Sequence, residues 1–161
     1  MSLIPQILPV ERGFIDMDFR AQDEVFEHVA DVFERGNGLS RKLVVSALLQ
    51  REKLGSTGLG QGVAIPHGRI RGLKQTLGAF VRVGEPIEFS APDGCPVNLI
   101  FVMLVPEQAN ESHLQLLSEL AQMFSDRGFR ERLCQASSAE VAWNIFNTWS
   151  PNAANECSPA V

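Results

Sequence analysis

The apolar run Leu99-Ile-Phe-Val-Met-Leu-Val105 constrains the fold of this chain more than any other segment. A strand with one wet face alternates apolar and polar residues, and this run, which opens at Val97, does not. It predicts a central strand covered on both faces. It is also far shorter than the ~20 apolar residues of a membrane-crossing helix. The rest of the chain supplies the covers. Val25, Val29, Val32 and Phe33 repeat at helical spacing until Arg35-Gly36-Asn37-Gly38 stops the element, and Ser40 is placed to cap a second helix carrying Leu43, Val44, Ala47 and Leu48. A helix over 112–124 puts Leu117, Leu120, Ala121 and Phe124 on one side, with Ser112 or Asn110 as its N-cap. Another over 137–149 opens with Ser137-x-x-Glu140 ahead of Val141, Ile145, Phe146 and Trp149. Residues 77–83 read as a strand, Gly84-Glu85-Pro86 as a turn, 87–89 as a short apolar run and Pro92-Asp93-Gly94 as a second turn. The expected class is α/β, a mixed β-sheet sandwiched by helices.

The chemistry concentrates in Gly55-Ser-Thr-Gly-Leu-Gly-Gln-Gly-Val-Ala-Ile-Pro-His67-Gly-Arg69. Val63, Ala64 and Ile65 read as a buried strand, Pro66 cannot donate to a continuing ladder, and Gly68 admits a close approach by another backbone or a large partner. His67 is thereby presented at a strand end. Between positions 51 and 74, five cations (Arg51, Lys53, Arg69, Arg71, Lys74) face Glu52 alone, a net of about +4 in a chain whose net charge is −5. That field suits an anion. Phosphate fits best, because backbone N–H groups of a Gly/Ser/Thr loop, the hydroxyls of Ser56 and Thr57 and a guanidinium such as that of Arg69 all donate to its oxygens. A neutral imidazole is also a nucleophile near neutral pH when its other nitrogen is held by a hydrogen bond. The plainer readings stand beside these: turn chemistry for the glycines, a structural histidine, and local capping by Ser56 and Thr57. Nucleotide patterns fail, since no Gly-Lys-Ser/Thr follows the loop and Gly58-x-Gly60-x-Gly62 leads into a strand.

From Leu49-Gln-Arg51-Glu-Lys-Leu-Gly-Ser56-Thr57-Gly58 into Gly62-Val-Ala-Ile-Pro-His67-Gly-Arg69, the chain resembles the enzyme IIA domains of the bacterial phosphoenolpyruvate-dependent phosphotransferase system. The resemblance is to the fructose/mannitol-type superfamily, and within it to the nitrogen-regulatory branch. It extends from about residue 8 to residue 149 and includes a second histidine, His113, after the central strand. It implies the fructose/mannitol-type IIA fold, phosphorylation of His67 on Nε2 by a small HPr-like carrier, hydrogen-bond support from His113 and an active-site arginine at Arg51. Ser56, Thr57, Gly58 and Arg69 would line the phosphate. The nitrogen-regulatory branch further implies that the phosphorylation state alters binding to regulatory target proteins. A transport component feeding a fructose/mannitol-type IIB is the alternative. Taken alone, Arg51 is equally a cation complementing a helix C-terminus, and His113 a helix-start residue packing beside Leu117 and Leu120.

The remaining features frame a single cytosolic domain over 1–149 with a flexible tail over 150–161. A chain of 161 residues that is 45% hydrophobic can bury one core. Cys95, Cys134 and Cys157 form neither an even disulfide framework nor a CxxC pair and read as free thiols of a reducing compartment. The first residues lack the basic segment of a secretion signal. His28, among Glu24, Glu27 and Asp31, reads as part of a solvated helix face, so no metal is assigned. No cofactor, nucleic acid or membrane insertion is expected. Gly58, Gly60, Gly62 and Gly68 predict a low-relief surface around His67 that can receive a protein face.

Overall fold

The computed structural model describes residues 3–108 and 111–149, Ser112 by its backbone alone. Its elements run α1 (Ile4–Ile7), a 3-10 turn (Val10–Arg12), β1 (Gly13–Met17), α2 (Gln22–Asn37), α3 (Arg41–Leu54), β2 (Gly58–Gly60), β3 (Val63–Ala64), β4 (His67–Ile70), β5 (Leu77–Ile87), β6 (Val97–Pro106), α4 (Glu111–Ser125), α5 (Arg127–Gln135) and α6 (Ala139–Thr148). The strands form one six-stranded sheet in the order β1-β5-β6-β3-β2, with β4 also paired to β6. β6 is antiparallel to β5 on one side and parallel to β3 and β4, laid end to end, on the other. The apolar run is therefore central, and the sheet is mixed.

Alternate residues of β6 feed two separate cores, which is why its sequence does not alternate. Leu99, Phe101, Met103 and Val105 pack toward α1, α4, α5 and α6, while Ile100, Val102 and Leu104 pack toward α2 and α3. On the first face Phe146 meets Phe80, Phe101, Phe124 and Phe129 with ring centroids 5.1 to 6.0 Å apart, in tilted and edge-on arrangements. Each such ring, fully buried, stabilises the fold by about 1.5–3 kcal/mol. On the second face Val25, Phe26, Val29, Ala30 and Phe33 of α2 pack with Val44 and Leu48 of α3. Gly38 stops α2 at φ +70°, where its N–H reaches the Glu34 carbonyl, and the Ser40 hydroxyl accepts from the Leu43 N–H to start α3.

Several expectations are corrected. Gly84-Glu85-Pro86 is not a turn but part of β5, where the register shifts between Arg82 and Ile87, so Pro86 is accommodated at the irregularity. Ser138, not Ser137, caps α6 by accepting from the Val141 N–H. Leu43, Ala121 and Val141 are exposed; the inner faces of their helices run through Val44 and Leu48, through Leu116, Leu120, Met123 and Phe124, and through Ala142 and Phe146. His28 does not lie on a solvated face. Its ring sits between Phe14 and Phe19, with centroids 4.7 and 5.1 Å away, its Nε2 is buried with no hydrogen-bond partner among the described residues, and burial pulls its pKa below the ordinary imidazole value. β1 and α5 were not anticipated at all. Between them lies the buried Arg82, whose Nη1 donates to the Leu133, Cys134 and Ala136 carbonyls at 2.7, 3.1 and 2.8 Å and whose Nη2 donates to Asp16 at 2.9 Å. That guanidinium closes the C-terminal end of α5. Cys95 and Cys134 are free and exposed. α4 already begins at Glu111, so Ser112 lies inside its first turn and is not its N-cap; Asn110, Cys157 and the segment 150–161 fall outside the described residues.

Candidate functional site

His67 opens β4, opposite Met103 of β6. Pro66 has no N–H to give, yet its carbonyl accepts from the Met103 N–H at 2.9 Å, and the register to β6 continues unshifted from Val63 to Ile70. His67 and Arg69 share one face of β4, while Gly68 and Ile70 face the other. At Gly68 an added Cβ would lie 3.0 Å from the Ala47 Cβ and 3.1 Å from its carbonyl carbon, so the glycine lets α3 press directly on β4. That contact carries the last turn of α3, with Arg51, to the histidine.

The imidazole has a defined orientation. Its Nδ1 lies 3.0 Å from the Ile65 carbonyl oxygen, which can only accept, so Nδ1 is the protonated nitrogen and Nε2 keeps its lone pair. Burial lowers the pKa of His67 first of all, and Arg51 and Arg69 lower it further. The Ile65 hydrogen bond and Glu52 act in the opposite direction without cancelling the effect. The ring is thus neutral at neutral pH.

His113 lies in the first turn of α4, 7% exposed, with its ring centroid 5.5 Å from that of His67 and the planes inclined by 50°. Burial, then His67 and Arg69, hold its pKa below the ordinary value. Its Nδ1 is buried with no hydrogen-bond partner among the described residues. A bare lone pair there costs less than a stranded N–H, so the proton belongs on Nε2, where it is available as a donor. Arg51 donates from Nη1 to the Gly55 carbonyl at 2.8 Å, and Arg69 from Nη1 to the Glu107 carbonyl at 3.2 Å. Each guanidinium keeps further N–H groups.

The structure brings together His67, His113, Arg51 and Arg69. It turns Ser56, Thr57 and Gly58 inward. The Ser56 hydroxyl donates to the Phe89 carbonyl at 2.6 Å and accepts from the Gly58 N–H at 3.0 Å, and the buried Thr57 hydroxyl donates to the Glu52 carboxylate. These donors shape the loop and are not free for an anion. The low-relief expectation also changes, because Gly68 faces Ala47 and an added Cβ at Gly58 would lie 2.9 Å from the Ala91 Cβ. Both glycines serve internal packing. Glu52 and Asp93 read in the sequence only as a helix-end acid and a turn residue: Asp93 accepts from the Gln61 and Cys95 N–H groups at 2.9 and 3.0 Å and pins the β2–β3 turn.

Residues 6–149 match the model of the phosphoenolpyruvate-dependent sugar phosphotransferase system EIIA 2 family. The chain belongs to this family. Among EIIA 2 relatives, a nitrogen regulatory protein of Pseudomonas aeruginosa is 38% identical over 146 residues, covering 90% of this chain and 95% of the relative. A fructose-specific EIIA component of Haloferax volcanii is 32% identical, covering 89% and 94%. The crystal structure of nitrogen regulatory protein IIA-Ntr from Neisseria meningitidis superposes with a TM-score of 0.86 at 52% identity over 90% of this chain and 99% of that one. The IIA mannitol structure from Escherichia coli, at 23% identity and a TM-score of 0.71, shares the fold. The chain is thus an EIIA 2 component of a phosphotransferase system. Among its described residues no helix is long and apolar enough to cross a membrane.

Proposed function

We propose that this protein accepts a phosphoryl group on Nε2 of His67 from the phosphohistidine of a small HPr-like carrier, and that its phosphorylation state governs its binding to regulatory target proteins. The observation that carries the reading is the Nδ1–H bond to Ile65, which leaves Nε2 as the nucleophilic nitrogen of a neutral ring. In an in-line transfer the carrier's P–N bond breaks as the new P–Nε2 bond forms, and the carrier nitrogen leaves with the electron pair. The spare N–H groups of Arg51 and Arg69 offset charge on the phosphoryl oxygens, and His113 donates from Nε2. Ser56 and Thr57 keep the loop in shape.

A protein surface surrounds this centre. Leu54 and Leu114 are 85% and 62% exposed and lie on α3 and α4, the elements that carry Arg51, Lys53 and His113. Such an apolar and cationic rim suits a carrier bearing an anionic phosphohistidine. Adding about two negative charges at its centre changes what the rim can bind. The similarity to nitrogen regulatory proteins favours regulation as the output.

The test is incubation with phosphoenolpyruvate, an enzyme I-type kinase and an HPr-like carrier. One acid-labile, base-stable phosphoryl group is expected, lost in His67→Ala and slowed in His113→Ala; labelling that survives in His67→Ala rejects the assignment. The output is tested by pull-downs with genuinely phosphorylated and unphosphorylated protein. Different partner sets are expected, whereas identical sets together with transfer to a fructose/mannitol-type IIB would mean transport.

A further inference from the structure

Glu52 stands where an acid does a helix no good. It occupies the last turn of α3, where the macrodipole disfavours a negative charge by about 0.3–1 kcal/mol. What it gains is Thr57. One carboxylate oxygen accepts the Thr57 hydroxyl proton, and the other takes the Thr57 N–H at 3.4 Å. Thr57 is 5% exposed, so water is poorly placed to substitute for the carboxylate.

From Thr57 the hydrogen bonds continue without a break to the reactive ring. The Thr57 carbonyl accepts from the Ile65 N–H at 3.0 Å, and the Ile65 carbonyl accepts from His67 Nδ1 at 3.0 Å. The first of these bonds extends the β2–β3 ladder by one step beyond Gly58 and Ala64. With strands of three and two residues, that ladder is too short to hold its own geometry. β3 is paired on its other side to β6, and the β2 side is fixed at its tip by Asp93 through Gln61 and at its base by Glu52 through Thr57.

We propose that Glu52 is a positioning residue for His67, which acts through Thr57 and the Ile65 peptide to fix the proton on Nδ1 and so leave Nε2 free to react. The proposal rests on His67 as the phosphoryl acceptor. Releasing Thr57 from Glu52 lets the Ile65 carbonyl drift, and a ring without that acceptor samples both tautomers. The carboxylate also lies close enough to favour the protonated ring, against Arg51 and Arg69.

The experiment reads the His67 tautomer by 15N NMR of the unphosphorylated protein, together with the rate of phosphoryl acceptance from an HPr-like carrier, in the wild type, Glu52→Gln, Thr57→Val and Thr57→Ser. The wild type and Thr57→Ser are expected to hold the Nδ1–H form. Glu52→Gln and Thr57→Val should mix the tautomers and accept about tenfold more slowly, the low end of the loss seen when the partner that orients a metal-bound histidine is removed. The His67 titration in Glu52→Gln should also move down. An unchanged Nδ1–H signal and rate in both variants would overturn the proposal, as would Thr57→Ser behaving like Thr57→Val. Because the tautomer is read without phosphate, failure of wild-type His67 to label would reject the functional reading separately.

Discussion

The β5–β6 pair and the β2–β4 edge belong to one sheet but are held by different forces. β5 and β6 are eleven and ten residues long, pair from Leu77↔Leu104 through Arg82↔Leu99, and bury most of their side chains between two layers of helices. β2, β3 and β4 have three, two and four residues, and their positions depend on Glu52, Ser56, Asp93 and the Pro66 carbonyl. Dispersion and apolar burial hold the first region; the second also buries Val63, Ala64, Ile65 and Ile70 and pairs with β6, but the loop and turns around its short strands are set by individually placed polar bonds. Apolar packing tolerates no exposed reactive nitrogen, whereas a polar-tethered edge can present one and still define its proton.

Changes confined to either region should therefore separate stability from chemistry. The largest stability effect is expected from Phe80→Ala, which removes a fully buried ring 5.1 Å from that of Phe146 and should cost about 3–5 kcal/mol in urea unfolding. The folded fraction should still accept phosphoryl at nearly the wild-type rate; a rate loss beyond the unfolded fraction would erase the contrast. Arg51→Ala is the converse. Stability should move by no more than about 0.5 kcal/mol, while acceptance slows about tenfold, equivalent to ~1.4 kcal/mol of barrier. Arg71→Ala, just beyond the end of β4, should slow it less. Equal effects that vanish with added salt would replace the contact by a diffuse field, screened within ~8 Å at physiological ionic strength.

The smallest effect concerns pH. His28, His67 and His113 are all held below the ordinary imidazole value, chiefly by burial. Unfolded histidines bind protons near pH ~6.5, so below that point the unfolded chain carries more protons than the folded one and stability falls with acidification. The urea midpoint should hence be lower at about pH 5.5 than at about pH 7.5, with part of the loss removed by His28→Phe. Acceptance should be level above neutrality and decline only in acid, as the His67 lone pair is lost. A higher midpoint in acid would contradict the burial of these rings.

The legible parts of the sequence were those whose physics is local. The run ending at Val105 announced a strand covered on both faces, and Gly38 and Ser40 marked a helix stop and start. Pro66 before His67 marked a break between two short strands, and the histidine does open the second of them. β1 and α5 were missed because few of their residues are buried: β1 is half-buried at the sheet edge with Asp16 at φ +57°, and α5, rich in arginine, buries Phe129 and Leu133. Arg82 and Glu52 were unreadable for another reason. Their partners lie across the fold or around a helix end, and spacing does not encode them. An acid in the last turn of a helix was the one available sign, since it opposes the dipole unless a second group requires it.

The central claim is that Ile65 prepares one nitrogen of one histidine, and the direct measurement is 15N and 31P NMR of the protein after phosphorylation from phosphoenolpyruvate through an enzyme I-type kinase and an HPr-like carrier. A single phosphoryl group is expected on Nε2 of His67, with the Nδ1 proton still hydrogen-bonded. A phosphoryl group on Nδ1, or on any residue other than His67, would contradict the claim.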